Sequence, residues 1–172
     1  MAGGTASGPR DLDELVIPPG AAEEMARLRA AGFLLLVVSN QPDVARGTLQ
    51  AEAVERINRR LAEALGIDGV YWCPHDNADG CSCRKPRPGL VHDAARDWGI
   101  DLARSYMIGD RWIDLATARA AGVEGILLES PHSWHATSQG SAPEDLVASH
   151  VSAALTGCVD FVLSCVNQEN PL

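Results

Sequence analysis

The sequence predicts an α/β protein in which helices cover both faces of a parallel sheet. Short apolar runs recur along the chain, and longer segments with apolar residues three to four positions apart separate them. A chain that alternates strand-type and helix-type segments needs crossover connections, and crossovers make the strands parallel. At 172 residues the chain has the length of one domain with a substantial core.

The first half of the chain starts with a helix and a strand. The helix opens after Pro18-Pro19-Gly20 and ends at Gly32, with glutamates in its first turn and arginines in its last, as the helix dipole favours. The run 34–38 is apolar throughout, which fits a strand buried on both faces. A second helix is predicted from an N-cap at Thr48 to Gly66, because its apolar residues recur with helical spacing.

The second half repeats the alternation and completes a three-layer, Rossmann-like arrangement. Further strands are predicted at 70–72, 106–108, 125–128 and, at the sheet edge, 161–163, and further helices at 90–98, 114–121 and 144–155. Residues 130–143 are rich in Ser, His, Gly and Pro and are expected to form an irregular loop. We expect residues 1–14 to be disordered and residues 15–172 to form a single domain.

A dense group of metal-ligand residues follows the predicted strand at 70–72. Cys73, His75, Cys81 and Cys83 are spaced C-x-H-x5-C-x-C within eleven residues. Three thiolates and one imidazole match a closed tetrahedral zinc site with no position left for water. The alternative is four unrelated residues, but ligand pairs flanking a glycine-containing segment rarely arise by accident. The sequence therefore predicts a structural zinc ion that stiffens the loop 73–83.

The residue that this loop would position is Lys85, the only lysine in the chain. It follows directly after the metal-ligand group and is expected to present its ammonium to an anion. The formal net charge of −9 and the pI near 4.9 argue against nucleic acid or an anionic membrane as the partner. Positive charge for binding phosphate must therefore be concentrated locally.

Polar residues follow three predicted strands, and ligands of such folds bind beyond the carboxyl ends of the strands. Ser39 and Asn40 follow the first strand, and Asp110 and Asp114 begin the helix after 106–108. The two carboxylates are candidate Mg²⁺ ligands, or else an N-cap and an ordinary helix carboxylate. Arg46, in a loop before a helix, either reaches a second anionic group or is a solvated surface arginine.

Three segments carry a resemblance to a known family. VVSNQPDVARG, YWCPHDNADGCSCRKPRPG and SYMIGDRWIDLATARAAGV resemble the haloacid dehalogenase (HAD) superfamily. Within it they are similar to the D-glycero-D-manno-heptose 1,7-bisphosphate phosphatases and the histidinol-phosphate phosphatase domains. The resemblance covers residues 16 to about 130. It implies a phosphomonoester hydrolase that uses Mg²⁺ and forms a covalent aspartyl-phosphate.

The resemblance also implies a role for individual residues. Ser39 would bind the transferred phosphoryl group, and Lys85 would neutralise its charge. Asp110 would ligate Mg²⁺, and Asp114 would support either that metal or Lys85. The residues implied to contact substrate are Ser39, Asn40, Arg46, Arg84 and Lys85.

One part of the family pattern is missing, the central strand that ends in D-x-D and carries the nucleophile. Asp11-Leu12-Asp13 spells D-x-D, but no apolar strand precedes it, and it falls where the family has a later loop. We therefore do not expect Asp11 to be the nucleophile. Either the strands at 34–38 and 106–108 pair directly, or residues 12–17 fill the gap, or the sequence is a truncated form of a longer protein, which we favour.

Two functions remain open at this stage. The first is a phosphatase of a sugar bisphosphate, such as D-glycero-D-manno-heptose 1,7-bisphosphate, recorded without its nucleophile and with weakened Mg²⁺ binding. The alternative is a catalytically inactive HAD homologue that acts as a phosphate-binding or regulatory protein. A small zinc-stabilised interaction module would leave Lys85 and Asp110 unexplained. We expect a cytoplasmic monomer with reduced cysteines and no membrane span, since the longest apolar run is 33–38.

Overall fold

The computed structural model describes residues 8–169, so the N-terminal part of the segment expected to be disordered lies outside the described residues. The strands are β1 Leu36–Asn40, β2 Gly69–Cys73, β3 Tyr106–Gly109, β4 Glu124–Leu128 and β5 His150–Ser152. The helices are α1 Ala21–Ala30, α2 Ala51–Leu65, α3 Gly89–Trp98, α4 Trp112–Ala121 and α5 Leu155–Glu169. No helix in this part of the chain is long and apolar enough to cross a membrane.

The strands form two separate parallel sheets. β1 pairs with β2, with Leu36 opposite Gly69 and Asn40 opposite Cys73. The second sheet has the order β3-β4-β5, and both of its pairings are parallel. The predicted α/β architecture with crossover helices is confirmed. The division into two sheets follows from β1 and β3, which do not pair with each other within residues 8–169.

A cleft of about 1160 Å³ lies where β1 and β3 face each other. Its walls are largely apolar and include Leu36 and Val38 from one sheet and Tyr106 and Ile108 from the other. Lys85, Asp110 and Asp114 also line it. Residues 12–17 do not contribute to this lining, so among the described residues neither direct pairing nor an N-terminal segment closes the gap.

The three layers are most evident at β4. Ile126 and Leu127 are both fully buried although they are adjacent, because neighbouring residues of a strand point to opposite faces. Ile126 packs in a cluster with Leu28 of α1 and Val159 and Val162 of α5. Leu127 packs with Trp112 and Leu115 of α4 on the other face. The sheet is thus covered on both sides, as predicted.

The predictions for the C-terminal region are wrong in type. The helix expected at 144–155 is a loop followed by β5, and the edge strand expected at 161–163 lies inside α5. The buried residues Cys158, Val159 and Val162 recur with helical spacing, and the short apolar run at 161–163 obscured that period. At the start of α2, Thr48 is not the N-cap, since its hydroxyl donates to Asp43 O and the helix begins at Ala51.

Candidate functional site

The four predicted zinc ligands come together after β2. Cys73 is the last residue of β2 and is buried, and His75, Cys81 and Cys83 return to it through a loop that contains a short 3-10 helix. The ligand atoms of all four lie within 4.8 Å of one another. The cluster lies at the carboxyl end of β2, next to the rim of the cleft.

The four ligand atoms are close enough together to bind one metal ion. Cys73 Sγ lies 3.7 Å from Cys81 Sγ and 3.2 Å from Cys83 Sγ, and His75 Nδ1 lies 3.5 Å from Cys73 Sγ. Sulfurs bound to one zinc ion at about 2.3 Å are separated by about 3.8 Å in a tetrahedron. Burial, and then a hydrogen bond with Cys83, raises the pKa of the Cys73 thiol to about 12. Such a thiol stays protonated near neutral pH unless a cation lies beside it.

Two arginines that the sequence assigns to substrate hold this loop. Arg84 is buried, and it donates from Nε to Asn77 Oδ1 at 2.8 Å and from Nη1 to His75 O at 3.2 Å. Arg46 donates from Nε and Nη2 to the carboxylate of Asp76 at 2.7 and 3.0 Å. The Arg46 guanidinium lowers the pKa of Asp76 to about 2. Both arginines therefore stiffen the loop, and their contact with substrate stays a prediction.

Lys85 is fixed at both its backbone and its side chain. Its N–H donates to Asn40 Oδ1 and its carbonyl accepts from Asn40 Nδ2, each at 3.0 Å. Its Nζ donates to Val38 O at 2.9 Å and to Asp114 Oδ1 at 2.7 Å. Asn40 at the end of β1 thus positions Lys85, whose ammonium reaches across the cleft to α4, the helix that follows β3.

The two aspartates expected to bind magnesium have different surroundings. Asp114 is buried, and its second oxygen accepts from the backbone N–H of Arg111 at 3.2 Å, so both of its oxygens are engaged. Its position requires a glycine beneath it, since a Cβ on Gly109 would lie 2.2 Å from the Asp114 Cβ. Asp110 is exposed, and no described residue donates a hydrogen bond to its carboxylate.

Ser39 completes the rim at the end of β1. Its hydroxyl accepts a hydrogen bond from Gln41 Nε2 at 3.2 Å, and it follows Val38, whose carbonyl binds Lys85. Asp11, by contrast, lies against α2, lining a small pocket with Ala53 and Arg56. Its carboxylate accepts from the N–H groups of the next turn, which makes the D-x-D an exposed turn.

The contacts that the loop 130–138 makes with this site could not be predicted from the sequence. Ser133 is fully buried and donates to Asp110 O at 2.7 Å, and Ser138 O accepts from Asn77 Nδ2 at 2.7 Å. These pairs lie 23 and 61 residues apart, and the loop has no periodicity that predicts them. The one sequence signal that could have drawn attention to this loop is its length, since long loops without secondary structure are often functional.

The chain resembles several known proteins. Residues 82–154 match the HAD-hydrolase-like family. The D-glycero-beta-D-manno-heptose-1,7-bisphosphate 7-phosphatase of Bordetella bronchiseptica is 34% identical over 137 residues, 77% of this chain and 76% of the relative. The enzyme of the same name from Pseudomonas aeruginosa is 35% identical, over 70% of this chain and 71% of the relative.

A solved structure also matches the fold. The D,D-heptose 1.7-bisphosphate phosphatase from B. bronchiseptica, complexed with magnesium and phosphate, superimposes with a TM-score of 0.77. It is 31% identical to this chain, and the match covers 90% of this chain and 88% of that one.

Proposed function

This chain belongs to the heptose-1,7-bisphosphate phosphatase family of the HAD-like hydrolases, and we propose that it binds a phosphorylated sugar at the rim formed by Ser39, Lys85 and Asp110. The observation that carries the proposal is the position of Lys85. Lys85 is the only lysine of the chain, and its side chain is 12% exposed. Its ammonium is held between Val38 O and Asp114 at the mouth of the cleft. Phosphomonoester hydrolysis is the reaction class that this family membership supports.

The phosphate-binding role follows from charge and geometry. An ammonium at the border of a low-dielectric cleft interacts with an anion more strongly than a solvated one does. Ser39 supplies a hydroxyl donor beside it, at the carboxyl end of the same strand whose carbonyl holds Lys85. Lys85 would neutralise charge on the phosphoryl oxygens, and Ser39 and Asn40 would orient the group. Arg46 and Arg84 would contact the substrate at the outer side of the metal loop.

We propose that Cys73, His75, Cys81 and Cys83 hold a structural zinc ion. The close spacing of the four ligand atoms supports it, as does the chemistry of the set, which leaves no carboxylate or open position for hydrolysis. The ion would fix the loop that places Lys85. It would take no part in the reaction itself.

Magnesium fits this rim through Asp110 alone. Asp110 presents a carboxylate that is free of contacts to described residues, whereas Asp114 is occupied by Lys85 and the Arg111 N–H. Mg²⁺ is commonly held by one or two carboxylates together with substrate phosphate and water. When bound, it would neutralise phosphate charge. Asp110 would orient it, and Asp114 would act by holding Lys85, so binding in this chain is expected to be weak.

Hydrolysis through a covalent intermediate needs a carboxylate in line with the leaving oxygen. Asp11 lies against α2. Of the carboxylates that line the cleft, Asp114 is held by Lys85, Asp110 is assigned to Mg²⁺, and Asp101 and Glu124 lie towards the starts of β3 and β4, away from the rim. We propose that catalysis requires a strand that enters the cleft, pairs with both open edges and ends in the nucleophilic carboxylate. The apolar walls and the two parallel strands that border the cleft support this arrangement.

The experiment is phosphate release from a heptose 1,7-bisphosphate with Mg²⁺. We expect residues 1–172 alone to give a rate near background. A synthetic peptide with about five apolar residues followed by Asp-x-Asp should restore turnover, whereas the peptide with Asn in place of the first Asp should bind without restoring it. Robust turnover by the chain alone that Asp11→Asn abolishes would contradict the proposal and assign the nucleophile to Asp11.

A second function, phosphate binding without hydrolysis, is favoured by one observation. The phosphate rim is assembled in the absence of a nucleophile, because Lys85, Asn40 and Asp114 hold one another. Phosphate binding by the chain with no turnover in the presence of either peptide would select this regulatory role. For both functions we propose a cytoplasmic monomer that binds neither nucleic acid nor membrane, in keeping with the net charge of −9.

A further inference from the structure

Ser133, in the loop after β4, contacts the segment that carries Asp110. The residue is fully buried. Its hydroxyl donates to Asp110 O at 2.7 Å, and its carbonyl accepts from the N–H of Trp112 at 2.8 Å. Trp112 is the first residue of α4, and an N–H at that position has no partner within its own helix. One residue therefore binds the backbone on both sides of Arg111.

The hydroxyl of Ser133 is itself fixed from the other side. It accepts a hydrogen bond from the N–H of Ser130 at 2.9 Å, so it cannot rotate without losing one of its two partners. The rest of the loop is attached at two further points: Trp112 Nε1 donates to His135 O at 3.1 Å, and Asn77 Nδ2 donates to Ser138 O at 2.7 Å. The loop 130–138 thus spans from the loop 73–83, which is called the zinc-ligand loop below, to the segment 110–112.

Asp110 has no comparable side-chain support. Asp114 is held by Lys85 and by a backbone N–H, but no described residue donates to the carboxylate of Asp110. Among the described contacts, the place of Asp110 is therefore set through its backbone. That backbone is fixed where Ser133 binds its carbonyl.

We propose that Ser133 is the positioning residue for Asp110, and that it aims the carboxylate at the divalent cation and phosphate of the rim. The inference rests on the proposed function, since it assigns a metal-binding role to Asp110. Residues that orient metal ligands commonly change metal affinity by tenfold to a hundredfold when they are removed. The effect should be specific to the cation, because Ser133 makes no contact with Ser39 or Lys85.

The test measures Mg²⁺ affinity and phosphate affinity separately in Ser133→Ala. Mg²⁺ is titrated in saturating inorganic phosphate, and phosphate is titrated without Mg²⁺, both followed by the backbone amide signals of residues 109–112 and of the zinc-ligand loop. We expect Mg²⁺ affinity to fall about tenfold or more and phosphate affinity to stay unchanged. Ser138→Ala is the matched control, because this serine lies in the same loop and is bound to Asn77 through its backbone carbonyl, which the variant keeps. It should bind both ligands as the wild type does.

Ser133→Cys guards against a folding defect in the alanine variant, since it keeps the volume and a weak donor. It should bind Mg²⁺ with an affinity between those of the wild type and Ser133→Ala. Wild-type Mg²⁺ affinity in Ser133→Ala would overturn the role of Ser133 alone. An equal loss of Mg²⁺ and phosphate affinity would also overturn it, because it would show a structural role. Absence of Mg²⁺ binding by the wild type would overturn both this role and the metal site of the proposed function.

Discussion

The zinc-ligand loop and the cleft between β1 and β3 border the same rim but are built in opposite ways. In the loop, four ligands within eleven residues converge, and Arg46 and Arg84 brace the backbone between them. The cleft is bounded by strands about seventy residues apart, and no backbone pairing joins them within residues 8–169. Contacts between residues close in the sequence hold the loop, whereas the edges of β1 and β3 need backbone partners that lie far from them in the sequence.

Lys85 connects the two regions. Asn40 at the end of β1 fixes its backbone, and Asp114 in α4, the helix that follows β3, fixes its ammonium. The pair is nearly buried, with side chains 12% and 7% exposed, so it is shielded from salt and water. Because Lys85 is bound to Val38 and Asn40 of β1 and Asp114 lies in α4 after β3, the pair also bridges the open cleft. Substitutions in the zinc-ligand loop and at Asp114 therefore test the two regions separately.

The largest effect should come from removing zinc. Structural zinc contributes on the order of 10 kcal/mol of apparent binding energy, and Cys81→Ser removes one of its four ligands. We expect one zinc ion per wild-type chain and a melting temperature lower by more than about 10 °C in the variant. Metal analysis and thermal unfolding measure both quantities.

Cys165→Ser is the matched control, since this cysteine lies on α5 outside the cluster and should leave both values unchanged. Protein purified without chelator that contains no zinc would contradict the assignment. In that case the hydrogen bonds of Arg46 and Arg84 would have to hold the loop in its conformation.

The contrast between local and long-range contacts also explains which features could be predicted from the sequence. The Cys/His cluster could be predicted because its signal is local, and the β-α alternation predicted four strands and four helices close to their positions in the structure. Ser133 was missed because its partner lies 23 residues away in an aperiodic loop. The resemblance predicted a gap between the strands at 34–38 and 106–108, and the cleft lies there, whereas α5 was misread because a three-residue apolar run hid a helical period.

The next largest effect should come from Asp114→Asn. The change keeps the shape of the side chain but leaves the Lys85 ammonium without a counter-ion in a nearly buried site. Breaking a buried pair from one side costs about 3 kcal/mol or more. Chemical denaturation should detect this loss. Asp145→Asn is the control, since the exposed Arg119–Asp145 pair should contribute about 0–1 kcal/mol. Equal effects of the two changes would mean that Lys85 does not bridge the cleft.

A smaller effect is expected on ligand binding. The wild type should bind inorganic phosphate weakly at the Ser39–Lys85 rim, with an affinity that falls as salt rises and depends little on Mg²⁺. Lys85→Met keeps the apolar stem and removes the charge, and it should weaken binding about tenfold in calorimetry, the loss expected for one charge-assisted hydrogen bond. Arg96→Met, on the exposed face of α3, controls for net charge. The same affinity in all three proteins would show that the phosphate binds elsewhere.

The smallest effect concerns the opposite end of β1, where Asp68 holds the start of the strand. Its carboxylate accepts from the N–H of Leu35 at 2.8 Å and from Arg29 Nη2 at 3.0 Å. The hydrogen bond from Leu35, and then that from Arg29, lowers the pKa of Asp68. Because the folded pKa is lowered, the carboxylate stabilises the fold above its unfolded pKa of about 3.9, and this contribution is lost as pH falls through the folded pKa.

The expected result is that Asp68 is less protonated at pH 4 than an ordinary aspartate, which is about half protonated there. A carbon-13 NMR titration of the side-chain carboxyl from pH 7 to pH 4 measures this. Arg29→Ala should raise the pKa only in part, since the larger cause is the backbone N–H of Leu35, which the variant retains. If Arg29→Ala restored the ordinary pKa in full, the arginine alone would hold Asp68 ionised. The pairing of β1 with β2, and not the hydrogen bond from Leu35 to Asp68, would then be what holds the start of the strand.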